Sequence, residues 1–161
     1  MKRSRDSSIR GLLDANVLGE KRLEWRGSSG NFPDELRNLL NMATILIVDD
    51  ELLIRWAIAQ TLEAAGFEVR EAGTAREALE CLEKGEDVGV VLLDLKLPDS
   101  SDLGLLRTLR QRAPGSQVIL MTAHGSAEVL EEAMRAGAFL ALGKPFDMQY
   151  MVDRVRAAIA A

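Results

Sequence analysis

The sequence holds one cysteine, Cys81, in 161 residues. That excludes an internal disulfide framework and fits a reducing compartment. A small filler on a helix is the expected role for Cys81. No apolar run reaches membrane-spanning length. No continuous apolar stretch follows the basic start "MKRSRDSS" either, which argues against a secretory signal. A cytoplasmic protein with no membrane association is expected. What is present, 47% hydrophobic and 28% charged residues, is the composition of an ordinary soluble globular protein. The length suits one domain with a sizeable core plus some excess.

The excess lies at the start. Residues 1–42 carry 8 Lys+Arg against 6 Asp+Glu; from totals of 20 and 25, residues 43–161 keep 12 against 19, a net of −7. So acidic a domain is a poor candidate for gripping a phosphate backbone, and no direct nucleic-acid partner is expected. Residues 1–42 end in the Gly/Ser/Pro-rich "WRGSSGNFPDE", a linker by composition. Ile9, Leu12, Leu13 and Val17 have rough helical spacing. Three readings stay open for this segment: a disordered extension, a partner-binding amphipathic helix, or a start assigned too far upstream, with Met42 the natural first residue.

From residue 44 the pattern alternates regularly. Apolar runs at 44–48, 67–72, 88–93, 117–121 and 138–142 are each followed by a segment of period near 3.6, at 52–65, 75–84, 102–112, 126–136 and 147–159. Thr74 and Ser126 stand where helix N-caps belong, Gly66 and Gly137 where C-caps belong. Three of the runs are almost continuously apolar, as strands buried on both faces require. Five βα units with short connections predict an α/β fold: a doubly wound five-stranded parallel sheet covered by helices on both sides.

In such sheets the working crevice lies at the carboxyl ends of the strands. Asp49, Asp50 and Glu51 follow the first run, Asp94 the third, Thr122-Ala123-His124 the fourth, and Lys144-Pro145 the fifth. Taken singly, each has a bland reading: an N-cap pair, a turn residue, a surface turn. As a set at four successive strand ends they do not. Carboxylates a few Å apart repel and need a cation, and an all-oxygen set with few ligands suits Mg²⁺. Asp94, ending a buried strand where a charge is costly, would then be the nucleophile for a phosphoryl group, with Lys144 and the metal screening the developing charge.

These residues resemble a known family, the receiver domains of two-component response regulators. "ILIVDDE", "VVLLDLKLPD", "VILMTAHG" and "GAFLALGKPFD" are similar to its four motif regions, in order. The 28 residues from Asp94 to Thr122 and the 22 from Thr122 to Lys144 are ordinary family spacings. "DDELLIRWAI" and "GKPFD" are closest to receivers of the nitrogen-regulator type. The resemblance covers roughly residues 43–161 and implies a flavodoxin-like (βα)5 three-layer sandwich of strand order 2-1-3-4-5. It further implies Asp49 and Asp50 as the metal-binding pair, with Asp50 the more direct ligand. Asp94 would be the phospho-acceptor, Lys96 would lend a backbone carbonyl to the metal, and Thr122 would be the switch hydroxyl. Lys144 would be the pocket lysine, its bond to Pro145 cis. The donor would be a sensor histidine kinase or phosphotransfer protein. A downstream protein would dock through the face spanning 126–159, where a phosphorylation-dependent homodimer could also form.

Two positions depart from the family pattern. An aromatic residue is usual three before the lysine; here Ala141 stands there, with Phe139 two residues earlier as a potential substitute. A glycine is usual in the loop after Asp94; here it is Asp102, and Gly104 marks where the loop would differ. His124 reads as a solvent-facing tuner of phosphoryl lifetime, Trp56 as a packed helix residue. Glu128, Glu131, Glu132 and Arg135 read as a solvated helix face. The leading expectation is a non-enzymatic, phosphorylation-dependent signalling module with no output domain in this chain. Three rivals compete. An aspartyl-phosphate hydrolase would need an acid where Lys96 stands. A flavin-binding domain would be repelled by Asp49, Asp50 and Glu51. A phosphorylation-independent, receiver-like scaffold is kept open by Ala141.

Overall fold

The computed structural model describes residues 43–85, 87–123 and 125–161. The readings made for residues 1–42 and for His124 lie outside the described residues. The five apolar runs form parallel strands: β1 (Thr44–Val48), β2 (Glu68–Ala72), β3 (Val88–Asp94), β4 (Gln117–Thr122) and β5 (Leu140–Gly143), in the order β2-β1-β3-β4-β5. The helices between and after them are α1 (Leu52–Ala64), α2 (Ala75–Glu83), α3 (Gly104–Arg112), α4 (Ala127–Arg135) and α5 (Met148–Ala160).

Side-chain alternation along the inner strands divides the core in two. Leu46, Val91 and Leu120 point into one layer with α2, α3 and α4; Ile47, Leu92 and Met121 point into the other with α1 and α5. Each of these side chains is fully buried, a gain of about 1.5–3 kcal/mol apiece. The edge strand β2, "EVREA", is more polar: Glu68 and Arg70 pair with each other, and charge on an edge discourages pairing with another sheet.

Local chemistry sets the helix ends. Thr74 Oγ1 accepts from the Glu77 N–H and Ser126 Oγ from the Val129 N–H, as their N-cap positions require. Gly66 and Gly137 end α1 and α4 at φ 95° and 99°, a backbone that L side chains resist. Cys81 is half-buried on α2 against the core. The helix expected from 102 begins at Gly104, because the Asp102 carboxylate accepts the Gly104 N–H at 2.7 Å and forms a turn there. The Asp102 departure is thus absorbed locally.

One packing expectation fails. Trp56 is 59% exposed, beside Leu52 and Leu53 at 65% and 79%. The helix "LLIRWAIAQTLEA" is apolar nearly all round, so its spacing does not reveal which side faces the sheet. Ile58, Ala59 and Leu62 take the buried side.

Candidate functional site

β1 lies between β2 and β3, so the connections leaving β1 and β3 run to opposite faces of the sheet and open a crevice between the ends of these two strands. Asp49 follows β1 directly and is fully buried. Its N–H donates to Ala72 O at 3.0 Å, and its Oδ1 accepts from the Glu51 N–H at 2.9 Å. Asp94 is the last residue of β3, in register with Met121 of β4 and 7% exposed. Its Oδ1 accepts from the Lys96 N–H at 3.0 Å. Asp50 is exposed, and one carboxylate oxygen from each of Asp49, Asp50 and Asp94 lies within 4.8 Å of the others.

Lys144 ties the group together. The β5–α5 loop that carries it is anchored where the Lys144 N–H donates to Thr122 O at 2.8 Å. The Lys144-Pro145 bond is cis. Nζ donates to Asp49 Oδ2 at 2.7 Å and to Asp94 Oδ2 at 2.9 Å, and lies 3.6 Å from Glu51 Oε1. Burial pulls the ammonium down, but its hydrogen bonds to Asp49 and Asp94 outweigh burial and hold the group above the ordinary lysine value. Thr122 ends β4 and is buried at the rim. Asp50, Glu51, Asp94, Leu95, Lys96, Thr122, Ala123 and Lys144 line one cleft of about 260 Å³. Of the described residues picked out in the sequence, Asp50, Asp94, Lys96, Thr122 and Lys144 line this cleft, and the buried Asp49 bonds Lys144 beneath it.

Asp49, Glu51 and Asp94 face the Lys144 ammonium and Asp50 stands with Asp49 and Asp94, so acidic oxygens dominate the pocket. Such a donor set fits a small hard cation that retains water, and the carboxylates of Asp49, Asp50 and Asp94 lie close enough together to hold one, with Lys96 lining the same cleft.

Phe139 does not replace the missing aromatic. Ala141 packs with the α2–α4 layer, whereas Phe139 precedes β5 and packs with the α1–α5 layer. Strand parity would put them on one face, but β5 starts only at Leu140, so alternation does not reach back to 139. Two supporting residues were not legible in the sequence. The Asp99 carboxylate crosses to the N-terminus of α2, accepting from the Ala75 N–H at 2.8 Å and the Arg76 N–H at 3.0 Å. Those two bonds hold its carboxyl below the ordinary carboxylate range. Arg55 on α1 reaches the carbonyl of Asp49 and the carboxylate of Glu71. Their partners lie on another helix, on another strand or behind a turn, and no local spacing in the sequence points to them.

Residues 45–156 match the family model described as the response regulator receiver domain. The chain is 36% identical over 115 residues to the C4-dicarboxylate transport transcriptional regulatory protein DctD of Pseudomonas aeruginosa, covering 71% of this chain and 25% of that protein. It is 36% identical over 116 residues to the DNA-binding transcriptional regulator NtrC of Escherichia coli, covering 72% and 24%. The chain spans about a quarter of the length of these relatives. Among solved structures, a CheY-like receiver domain protein from Methanospirillum hungatei superposes with a TM-score of 0.70 at 33% identity, covering 74% of this chain and 94% of that one. A receiver domain from Clostridium thermocellum gives 0.69 at 35% identity, covering 74% and 95%.

Proposed function

The chain belongs to the response regulator receiver domain family of two-component systems, and from that premise we propose that Asp94 is its phospho-acceptor. Residues 43–161 are the receiver unit in this reading, a signalling module and not an enzyme. The donor is a phosphohistidine on a sensor histidine kinase or phosphotransfer protein. A carboxylate oxygen of Asp94 attacks phosphorus in line; the new O–P bond forms as the N–P bond breaks, and the imidazole nitrogen leaves with its electron pair and takes a proton from solvent.

The chain's own groups prepare this step. Lys144 holds Asp94 by Oδ2 and the Lys96 N–H holds it by Oδ1, so the carboxylate is fixed before a donor arrives. Mg²⁺, held by Asp49, Asp50, Asp94 and the Lys96 carbonyl, would supply positive charge for the phosphoryl oxygens. Asp50 lines the cleft while Asp49 lies beneath it, which favours Asp50 as the more direct ligand. Thr122 would donate its hydroxyl to a phosphoryl oxygen, with Ala123 leaving room. The observation that carries the reading is the Lys144 ammonium seated between Asp49 and Asp94 at the mouth of one cleft.

The output face is assigned to α4, β5 and α5, within 126–159. Met134 and Tyr150 are exposed there at 47% and 50%, which suits a downstream protein or a second phosphorylated copy. Glu131 and Arg135 lie beside Met134, while Glu128 and Glu132 are exposed on the same helix, Glu132 paired with Arg107 of α3. Met151, in contrast, is buried. A cytoplasmic location belongs to the same reading; among the described residues no helix is long and apolar enough to cross a membrane. Ala141 favours a second reading, a receiver that binds partners without being phosphorylated.

The deciding experiment adds beryllofluoride and Mg²⁺ to the protein and to Asp94→Asn and follows amide resonances. Shifts at Lys96 and Thr122 that need Mg²⁺ and vanish in the variant are expected. The same spectrum in both proteins would overturn the phospho-acceptor reading and leave the scaffold.

A further inference from the structure

We propose that Arg55 is a positioning residue for the acid pocket: its guanidinium clamps the β1–α1 turn to β2 and so aims Asp50 at the cation. The inference rests on the acid-pocket reading above and adds to it a residue that does not line the cleft. Arg55 stands in the first turn of α1, where its N–H donates to Glu51 O at 2.9 Å. Its side chain, 16% exposed, folds back over that turn. Nη1 donates to the backbone carbonyl of Asp49, and Nε donates to Glu71 Oε2 on β2 at 2.9 Å. Gly73, just past β2, completes the enclosure: a Cβ there would lie 3.3 Å from Nη1.

The partners distinguish this arginine from one on a solvated helix face, which would pair three or four residues along its own helix. Arg55 bonds a turn and a strand at once, a task suited to a rigid planar fork and poorly suited to an ammonium on a flexible stem. The carbonyl it holds matters. Asp49 C=O and Asp50 N–H belong to one rigid peptide plane, so fixing the oxygen fixes the rotation of that plane and the direction in which Asp50 leaves it. The other polar groups of Asp49 are taken by Ala72, Glu51 and Lys144. With Arg55 in place Asp49 has no polar atom left to reorganise, and the exposed Asp50 inherits that order.

The test is a Mg²⁺ titration read from the amide shifts of Glu51 and Lys96, with thermal melting run beside it, on Arg55→Met, Arg55→Lys, Glu71→Gln and Asp50→Asn. Arg55→Met is expected to weaken Mg²⁺ binding about 10-fold at a temperature where it is fully folded, as loss of a residue behind a metal ligand does. Arg55→Lys recovers part of that loss, and Glu71→Gln weakens binding in the same direction by a smaller factor. A lower melting temperature with wild-type Mg²⁺ affinity in Arg55→Met would make the residue merely structural and overturn the inference. If Arg55→Met does not fold, Glu71→Gln decides, and unchanged affinity there overturns the clamp. Asp50→Asn separates the two levels. Lost binding in that variant with full affinity in the others sinks the clamp alone; full affinity in Asp50→Asn sinks the acid-pocket reading itself.

Discussion

Lys144 and Asp94 are 50 residues apart in the chain, and their side chains meet at 2.9 Å with neither more than 9% exposed. The same ammonium reaches Asp49 at 2.7 Å, so one cation offsets two buried carboxylates from two different strand ends. Buried ion pairs are costly to form and costlier to break halfway, because the partner left behind stays charged and out of water.

Lys144→Met is therefore expected to destabilise the domain by about 3 kcal/mol near neutral pH, measured by urea unfolding. The wild type has its own alkaline limb. Because the folded ammonium titrates above the ordinary 10.5, its contribution is complete below that pH and is lost as pH rises through the folded value. A variant as stable as wild type at neutral pH would mean that the contacts carry no net stabilisation.

Asp99→Asn tests the strap between the β3–α3 loop and α2. An asparagine keeps one oxygen where the carboxylate offers two, so one of the Ala75 and Arg76 N–H groups loses its acceptor. The folded Asp99 carboxyl titrates below 3.8, so its contribution is present above that value and is lost as pH falls through the folded value. The stability difference between wild type and variant should accordingly be present at neutral pH and close in strong acid. A difference independent of pH would contradict this.

Trp56→Ala and Leu62→Ala form a matched pair on α1. The first removes an exposed ring and should change stability by no more than about 0.5 kcal/mol. The second opens a cavity in the core layer that Leu62 shares with Ile45 and Ile47 of β1 and should cost about 3 kcal/mol. Equal losses in denaturant melts would place Trp56 in the core after all.

Ala141→Phe restores an aromatic at the position three before Lys144. Ala141 is half-buried beside Leu120 on the layer opposite Phe139. With beryllofluoride and Mg²⁺, the amide shifts of the variant are expected to be larger in β5 and α5 than those of the wild type. Wild-type shifts that already reach α5 would show transmission without an aromatic there.

The chain could be read as five βα units because its inner strands are buried on both faces, which leaves near-continuous apolar runs, and because Thr74, Ser126, Gly66 and Gly137 meet local backbone demands that only a few residue types satisfy. The convergence of Asp49, Asp50, Asp94, Thr122 and Lys144 followed from the same pattern, since a parallel sheet puts every strand's carboxyl end at one edge. Trp56 and Phe139 were misread for the opposite reason. The apolar residues of α1 surround it, and the residue before a strand is outside the alternation that fixes a face.

The sequence by itself determined the βα alternation, the helix caps and the line of acids, hydroxyl and lysine at the strand ends, because each depends on residue type and spacing within a few positions. Only the tertiary structure decided which acids share Lys144, which carbonyl Arg55 holds, and which helix Asp99 caps. Those bonds join residues 6 to 95 positions apart, brought together by the packing of helices against both faces of the sheet.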